Sequence, residues 1–471
     1  MSAGATRFIE VALANRLIVS LLWCNGEELL SMPGPTSLAV HESNTRVSLT
    51  SHAFMNPTWR IGRPILAAIF TFLSMMPGLV GQSRLQDRKI PVPFRDSLFE
   101  RTVPPHMDGR TNRYVSSSGS DESEGTKEHP WATISHAGSM ALPGTTVHVA
   151  PGNYVEAVVT LASGTAAARI IYVSDEDWGA VILAPGKDGF AWKNTGSYTD
   201  IIGFEIVGSR CGGIGLGGSS QRAISNHVHN SAAGCSTSDG GSGINDFNYL
   251  TQGNDILRNY VHDVGSGEPQ CGQLHHNYIQ GIYQANAGGH IDHNIVVNSC
   301  GFGIHLWHAA THATITNNTV IENKAGGILV GSGDAPCSTS GCPGGNDYTI
   351  VSSNLVAFNG NETSGGWGLG ETSQEPGRTG IHNEYSHNLS FRNFTGDFYL
   401  PKSIPCKECV VGIDPRFVSV SAGDYRLAAG SPAIGAGKIL NIDEKPTKVS
   451  KGSRPQLDIG ALPPARGSNP Q

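Results

Sequence analysis

Apolar and glycine positions recur along the middle of the chain. Between about residues 200 and 400 a Gly-Ile pair returns again and again, with short stretches of alternating apolar and polar residues on either side. The pairs begin at Gly213, Gly243, Gly281, Gly303, Gly327 and Gly380. Repetition of this kind is typical of solenoids, in which one repeat buries its apolar face only by stacking on the next.

A second repeated element lies between the Gly-Ile pairs. It is an Asn followed two residues later by an apolar or small residue. It occurs at Asn226, Asn259, Asn294, Asn318, Asn354 and Asn388. The two elements alternate strictly, and the shortest unit is 22 residues long, from Gly281 to Gly303. These features predict an all-β fold, a right-handed parallel β-helix, in which longer units are coils with loops inserted at their corners.

Stacking of the coils gives each repeated position a predicted place. Successive coils lie about 4.8 Å apart, so equivalent residues form columns along the axis. We expect the Ile column to pack inside and the Gly to turn the corner. The Asn side chains are expected to form a hydrogen-bonded ladder. The residue after each Ile is then expected to face outward. Leucine-rich and propeller arrays are disfavoured because the sequence lacks their Leu-x-x-Leu-x-Leu and Trp-Asp signatures.

The region before the repeats predicts a cap for the solenoid. Residues 113–160 are typical of a strand, an acidic loop, a short helix and a further strand. One face of this predicted helix carries Ile134, Ala137, Met140 and Ala141. We expect the helix to cover the open end of the β structure, because an exposed sheet edge needs a cover.

Two segments resemble a known family. The segment that contains YVSSSGSD, HPWATISHA and PGTTVHVAPGNYVE is similar to the opening of secreted right-handed parallel β-helix proteins of the pectate-lyase-like superfamily. The segment DPRFVSVSAGDYRLAAGSPAIGAG resembles a C-terminal module that often closes such chains. The resemblance implies the fold and covers roughly residues 113–462. It does not imply one reaction, because the superfamily includes lyases, hydrolases, epimerases and proteins without known activity.

The N-terminal region has the layout of a secretory signal peptide. Arg60 and Arg63 follow Met55 and precede an apolar stretch over 65–80, after which small residues occur. We therefore expect a protein secreted to the extracellular space or periplasm. The predicted organisation is a start-site artefact or disordered extension at 1–54, a signal peptide at 55–83, a linker at 84–112, a parallel β-helix at 113–405, and a C-terminal closing module and tail at 406–471.

Composition and charge restrict the partners. The chain has 60 Gly among 471 residues and only 15% charged residues, which suits a turn-rich β protein. Its formal net charge is −7 and no run of Lys and Arg is present, so we expect no nucleic-acid partner. We expect a polysaccharide substrate, no membrane contact after removal of the signal peptide, and a monomer.

Cysteine usage agrees with secretion. Eight of the nine Cys follow Met55. Cys337 and Cys342 bracket a small loop and are predicted to bond to each other, while Cys406 and Cys409 are three residues apart. Disulfides that staple loops are typical of an oxidising compartment. A zinc site at the Cys-x-x-Cys is disfavoured because no second such pair lies nearby.

The positions of the long insertions predict a groove. The coils that begin at Gly281, Gly303 and Gly327 are joined by short corners and would form a low floor. Longer insertions on either side would form walls, and an open groove of this kind suits a long polymer. The insertions are at 231–242, 248–255, 264–280, 333–347 and 360–379.

Several polar and aromatic residues fall on this predicted floor. Tyr283 and His305 follow Ile on adjacent coils, about 4.8 Å apart at the backbone, so that both can reach one sugar ring. We predict His305, Tyr283 and His308 as catalytic residues and Trp307 as a platform on which a sugar ring stacks. The other predicted substrate-binding residues are His275, His276, Asn245, Asp246, Lys324, Arg378, His382 and Glu384.

Three functional classes fit these residues, and a polysaccharide lyase is preferred. A lyase needs a base to take the proton alpha to a uronate carboxylate, an acid for the leaving oxygen and a cation for the carboxylate. His305 is the predicted base, Tyr283 the acid or base, and Lys324 or Arg378 the cation. The resemblance implies calcium as a possible cofactor, but the sequence has no tight Asp cluster, and no metal ligands are assigned.

The other two classes stay open. A glycoside hydrolase needs two carboxylates facing each other across the bond to be cleaved. Asp246, Asp334 and Glu384 are the candidates, but they fall on non-neighbouring coils or in loops, which makes the hydrolase the second choice. A non-catalytic glycan-binding or surface protein needs only Trp307, the groove and a polar rim.

Overall fold

The computed structural model describes most of the chain after residue 109. The described residues are 110–184, 186, 189–232, 241–266, 271, 279–308, 310–333, 345–373, 380–438 and 457–465. All of them belong to one unit, Arg84–Gln471. None of the helices in this part of the chain is long and apolar enough to span a membrane. Several predicted features lie outside the described residues: the signal peptide, the linker up to residue 109, the Cys337–Cys342 pair, His275, His276, Asp334 and Arg378.

Three parallel sheets form the body of the protein, and each coil contributes one short strand to each sheet. Sheet 1 consists of β1 (Thr111–Val115), β2 (Thr145–Val149), β5 (Ile170–Ser174), β8 (Thr199–Ile202), β11 (Arg222–Ile224), β14 (Asp255–Leu257), β17 (His290–Asp292), β20 (Thr314–Thr316), β23 (Ile350–Ser352) and β26 (Glu384–Ser386). Sheet 2 consists of β4 (Val158–Thr160), β7 (Phe190–Asn194), β10 (Gly212–Leu216), β13 (Gly241–Asp246), β16 (Ile279–Gln284), β19 (Phe302–Leu306), β22 (Gly326–Ser332), β25 (Trp367–Ser373) and β28 (Gly396–Tyr399). Sheet 3 consists of β3 (Gly152–Tyr154), β6 (Ala180–Leu183), β9 (Glu205–Val207), β12 (His227–His229), β15 (Tyr260–His262), β18 (Ile295–Val297), β21 (Thr319–Ile321), β24 (Leu355–Ala357), β27 (Leu389–Phe391) and β29 (Val410–Val411). The predicted parallel β-helix is confirmed.

An apolar column inside sheet 2 runs along the axis. Ile214, Ile244, Ile282, Ile304 and Ile328 pair in register on successive coils and are fully buried. The predicted Ile column is therefore confirmed for five of the six pairs. The sixth is wrong: Ile381 is 78% exposed, and Leu369 of β25 continues the column. The pair at Gly380 lies after β25 and belongs to no strand of sheet 2.

The repeated glycines serve close packing and do not turn the corners as predicted. Gly281 lies inside β16, and a Cβ added there would be 2.2 Å from Cγ1 of Val296, which belongs to sheet 3. A larger residue at this position would collide with the opposite wall of the narrow interior. The corners after sheet 3 are made by non-glycine residues at positive φ, such as Asn298 at 56° and Glu322 at 59°.

The predicted Asn ladder is confirmed. The six repeated Asn are buried, and each of the last five accepts hydrogen bonds from the Asn before it along the axis. In the middle of the ladder, Asn318 Oδ1 accepts from the backbone N (2.9 Å) and Nδ2 (3.0 Å) of Asn294. Its Nδ2 donates to Asn354 Oδ1 at 2.9 Å. A second ladder consists of Asn323, Asn359 and Asn393. It was not predicted from the sequence.

Replacement of Asn318 by Leu is expected to lower the free energy of unfolding by about 2–5 kcal/mol. The change leaves two buried donors of Asn294 without an acceptor, and each such group costs about 1–3 kcal/mol. Chemical denaturation of the purified protein measures the loss. The matched control is Asn153→Ala on the exposed side of β3, which should change stability by less than about 0.5 kcal/mol. Equal stability of both variants would show that the ladder does not hold the coils together.

A short helix covers the N-terminal end of the solenoid, as predicted. Helix α1 spans Ile134–Met140 and packs against β4 and β1. Thr133 caps it, because its Oγ1 accepts from the backbone N of His136 at 3.1 Å. Ile134, Ala137 and Ala141 are buried as predicted, whereas Met140 at the last helical position is 56% exposed.

The C-terminal residues pack against one side of the solenoid. An antiparallel hairpin of β30 (Phe417–Ser419) and β31 (Asp424–Leu427) and the segment 457–465 lie on the outer face of sheet 3. There Tyr425, Ala461 and Leu462 pack against the β18 and β21 side chains Ile295, Val297 and Ile321. This stretch of sheet 3 is therefore covered by the protein itself.

Disulfides occur in the described part of the chain. Cys406 and Cys409 are bonded, in agreement with the prediction of a disulfide over a zinc site at this motif. A second bond joins Cys271 to Cys300, and Cys211 is also disulfide-bonded. These bonds are consistent with an extracellular protein.

Candidate functional site

The long connections of the solenoid adjoin sheet 2. The chain passes from sheet 1 to sheet 3 in two-residue corners, for example at 258–259 and 293–294. By contrast, 16 residues (263–278) lead into β16 and 17 residues (333–349) lead out of β22. The long connections of the chain therefore begin or end at strands of sheet 2.

Four aromatic rings meet at the centre of this face. Tyr283 of β16 and His305 of β19 are paired in register, and their ring centroids are 5.6 Å apart. The His305 ring also contacts Phe302 at 5.2 Å and Trp307 at 5.3 Å. The predicted adjacency of Tyr283 and His305 is therefore confirmed, and Trp307 lies beside them.

Trp307 is held in place by glycines of the next coil. A Cβ added to Gly331 would lie 2.3 Å from the indole ring, and one added to Gly333 would lie 2.1 Å from it. The indole thus covers bare backbone on one side and remains half-buried. A flat, half-exposed ring with a fixed orientation is suited to stacking against the apolar face of a sugar.

His308 brings a loop tyrosine to the cluster. His308 has a left-handed backbone, with φ of 57°, and its Nε2 is 3.2 Å from Oη of Tyr249. The ring centroids of Tyr283 and His308 are 6.4 Å apart, edge to face. Tyr249 is 41% exposed and was not predicted. Its insertion was recognised in the sequence, but nothing local indicates a contact with a residue 59 positions away.

His305 is almost fully buried, although it belongs to the column that was expected to face outward. Its side chain does lie on the outer face, but Phe302, Trp307 and Tyr283 cover it, and only 7% of the residue is exposed. Nδ1 lies 3.0 Å from Nε2 of Gln280, and Nε2 has no hydrogen-bond partner among the described residues. Burial, and then the charge of His308, lower the pKa of His305 to about 3. An imidazole so weakly basic and so covered does not fit the predicted role of general base.

The buried imidazole of His305 should make stability depend on pH. In the unfolded chain a His has a pKa of about 6.5. Below that pH the unfolded state therefore binds a proton at His305, whereas the folded state does not bind it until the pH nears 3. The contribution of His305 to the free energy of unfolding is therefore unchanged above about pH 6.5. It falls between pH 6.5 and pH 3, by up to about 1.4 kcal/mol per pH unit. Denaturant unfolding at a series of pH values measures the slope.

The control for this pH dependence is His305→Leu. Leu occupies the same column in the next coil, at Leu329, so the replacement matches the fold. Between pH 6.5 and pH 3 the wild-type protein should lose more free energy of unfolding than the variant does. The same pH dependence in both proteins would show that His305 titrates normally.

Asp246 faces the interior, which corrects its predicted place in the groove. It is fully buried, and its Oδ1 accepts from Nδ2 of Asn254 at 3.0 Å and of Asn286 at 2.6 Å. Burial raises the pKa of Asp246 well above its ordinary value. The reason is the alternation of side chains along β13: Ile244 points inward, Asn245 outward and Asp246 inward. Asn245 is half-buried and stands next to Tyr283 in register.

His382 and Glu384 are not on this face, contrary to prediction. His382 lies before β26, where its Nδ1 is 2.7 Å from Oδ2 of Asp347 and its ring stacks on Tyr348 at 4.4 Å. Glu384 is exposed in β26, which belongs to sheet 1. The prediction failed because the Gly-Ile pair at Gly380 is not a coil position of sheet 2.

Lys324 is also displaced from the predicted site. It lies at the corner between sheet 3 and sheet 2 and lines a cleft of about 500 Å³ beside Val420, which follows β30. The other lining residues are Asn298, Glu322, Phe358 and Gly360. Lys324, one of the two cations predicted to neutralise a uronate, is therefore not beside Tyr283 or Trp307.

The described Asp and Glu side chains form no group of three close enough to hold calcium. A group with metal-binding geometry does occur on sheet 3 and consists of His227, His229 and His262. These histidines were not predicted from the sequence, although the spacing from the ladder Asn residues indicates their proximity. His229 and His262 each follow a ladder Asn by three residues, which places them side by side on neighbouring coils.

Comparison of sequences gives two matches. A family model described as "Protein of unknown function (DUF1565)" matches residues 117–159. The uncharacterized protein YwoF of Bacillus subtilis (strain 168) is 44% identical over 69 residues, which cover 15% of this chain. The match spans 15% of the length of YwoF. Both similarities are confined to a small part of the chain.

Comparison of structures covers much more of the molecule. Pectate lyase Pel9A is 14% identical, covers 76% of this chain over 98% of its own length, and gives a TM-score of 0.53. The chain has the pectate-lyase-like fold. A rhamnogalacturonan lyase is 15% identical over 66% of this chain and 92% of its own, with a TM-score of 0.48. At 14% identity the match to Pel9A shows a shared fold alone, and it leaves the reaction to be argued from the site.

Proposed function

We propose that the protein binds a polysaccharide along the outer face of sheet 2. The observation that carries this proposal is the cluster of Tyr283, Trp307, His308 and Tyr249, whose half-buried and exposed rings meet on one face. Aromatic rings cover the apolar faces of sugars, while the Tyr hydroxyl and imidazole edges hydrogen-bond to sugar hydroxyls.

We further propose that the protein cleaves its substrate by β-elimination at a uronate. One of Tyr283 and His308 takes the proton alpha to the carboxylate, and the other protonates the oxygen that leaves as the carbon–oxygen bond breaks. The electron pair of the broken carbon–hydrogen bond forms the new carbon–carbon double bond, and the pair of the carbon–oxygen bond leaves with the oxygen. The amide of Asn245, next to Tyr283 in register, is placed to hydrogen-bond to the carboxylate. In this proposal His305 holds Tyr283 and Trp307 in position.

The geometry supports a hydrolase less well. The mechanism requires two carboxylates facing the same bond. Of the predicted candidates, Asp246 faces the interior and Glu384 lies on sheet 1. A carboxylate pair is therefore not supported on the described part of the face. A non-catalytic glycan-binding protein would need the aromatic cluster alone.

We also propose that the protein is secreted as a monomer after removal of residues 55–83. Its disulfides at Cys271–Cys300 and Cys406–Cys409 support an oxidising compartment. Translation from Met55 should give an exported product that begins near residues 82–84, which N-terminal sequencing can determine.

A panel of polysaccharides tests the proposed reaction. The secreted protein is incubated with uronate-containing and with neutral polysaccharides while the absorbance of unsaturated uronates and the release of reducing ends are followed together. A lyase produces both signals on a uronate polymer. Reducing ends without absorbance would overturn elimination in favour of hydrolysis. Binding without either signal would leave a glycan-binding protein, and no binding to any member would overturn the carbohydrate proposal as well.

A further inference from the structure

Three imidazoles gather on the outer face of sheet 3. His227 and His229 are two residues apart in β12 and point to the same side, because the intervening Val228 faces the core. His262 of β15 lies directly opposite His229 in the register of the two strands. The solenoid thus brings the three rings together although 32 residues lie between His229 and His262 in the sequence.

The distances between the rings are those of a metal site. One nitrogen from each ring lies within 4.8 Å of those from the other two, and Nε2 of His227 and Nε2 of His262 are 2.8 Å apart. Zinc holds imidazole nitrogens at about 2.1 Å in a tetrahedron, which sets them about 3.4 Å from one another. Small rotations of the three rings therefore bring their nitrogens to coordination distance. The exposed fractions are 9%, 8% and 7%, so the three polar rings are largely withdrawn from water.

A carboxylate fixes the ring of His262. Nδ1 of His262 donates to Oδ2 of Asp263 at 2.7 Å, and Asn298 Nδ2 donates to the other oxygen of Asp263 at 2.5 Å. With its proton on Nδ1, His262 presents the lone pair of Nε2 toward His227. A carboxylate that accepts from the outer nitrogen is the usual second partner of a metal-binding histidine.

Glu205 holds the second imidazole in the same way. Its Oε1 lies 3.1 Å from Nε2 of His229, so that Nδ1 of His229 is the nitrogen left for a metal. The exposed amide of Asn230, 3.1 Å from that Nδ1, is the contact that a metal would replace. Together with Asp263, Glu205 places two carboxylates beside the three rings, and carboxylates would offset the charge of a divalent cation.

We propose that His227, His229 and His262 form a zinc site that joins the neighbouring strands β12 and β15. Imidazole nitrogens suit zinc, whereas calcium and magnesium prefer oxygen ligands. The rings of Trp178 (4.6 Å) and Tyr260 (5.3 Å) flank His227 and limit the approach of water from that side. Three protein ligands leave a fourth position for a water molecule. The inference is independent of the carbohydrate proposal, because sheet 3 is a different face of the solenoid.

Metal analysis of protein produced without a histidine tag tests the site. After removal of metal with a chelator and dialysis against zinc, the wild-type protein should retain one zinc ion per chain. Cobalt in place of zinc should give the visible absorption of a tetrahedral site. His262→Gln should lose the bound zinc. The control is His387→Gln, which removes a partly buried imidazole that also faces a carboxylate, Glu408 at 3.0 Å, and should retain it.

The variant Asp263→Asn distinguishes a metal site from three imidazole rings that only stack on one another. The change keeps all three imidazoles but removes the charge behind His262, so zinc affinity should fall about 10- to 100-fold with unchanged stoichiometry. Zinc should raise the thermal midpoint of the wild-type protein but not that of His262→Gln, and circular dichroism shows whether that variant folds. The proposal is overturned if the folded wild-type protein retains no zinc, or if zinc binds equally well to His262→Gln or Asp263→Asn.

Discussion

Replacement of Ile304 by Asp is expected to prevent the chain from folding. Ile304 is fully buried in β19, between Ile282 and Ile328 of the neighbouring coils. The change places a carboxylate in this apolar column without a partner. An unpaired buried charge costs several kcal/mol, a large share of the 5–15 kcal/mol that typically separates folded from unfolded domains. The yield of exported protein and its circular dichroism spectrum measure the effect.

The matched control for this variant is Ile304→Val. It removes one methylene from the same position without adding polarity and should cost only about 0.5–1.5 kcal/mol. A folded Ile304→Asp protein with the thermal midpoint of Ile304→Val would show that the column is open to solvent.

Replacement of Tyr283 by Phe is expected to lower turnover about 100-fold or more without loss of stability. The ring that contacts His305 is retained, and only the hydroxyl proposed for proton transfer is removed. Trp307→Ala should act on binding instead, since truncation of an aromatic anchor costs about 2 kcal/mol or more, or roughly 30-fold in Kd. Initial rates and binding isotherms on the substrate found with the polysaccharide panel distinguish the two effects.

The control for both site variants is Tyr348→Phe. Tyr348 is 50% exposed and stacks on His382, away from the outer face of sheet 2. This variant should retain the turnover and the affinity of the wild-type protein. Full activity in Tyr283→Phe, or losses of equal size in Tyr348→Phe, would contradict the proposed site.

The fold was predictable because stacking imposes the same demand on every coil. The Ile and Asn columns could be read from the sequence, since each residue must pack or hydrogen-bond with its equivalent one coil away. The prediction of a coil at Gly380 failed because a Gly-Ile pair also occurs by chance in a Gly-rich chain. Ile381 is exposed and does not belong to the Ile column. The role of the glycines was missed because the contacts of Gly213, Gly243, Gly281 and Gly303 include Val residues of another sheet.

The candidate site was predictable only in part. Strand register placed Tyr283 beside His305, and the same alternation that sends Ile244 inward could have shown that Asp246 is interior. The burial of His305 could not be read from the pattern. It depends on whether Phe302 and Trp307 fold over the ring, which is a matter of side-chain conformation.

The central claim is that a sugar polymer lies on the outer face of sheet 2, and a crystal structure of the Tyr283→Phe variant with an oligosaccharide from the panel tests it most directly. We expect one sugar ring to stack on the indole of Trp307, with its neighbour within hydrogen-bond reach of His308. An oligosaccharide bound instead in the cleft beside Lys324 and Val420, with the face of Trp307 empty, would contradict the proposed function of this surface.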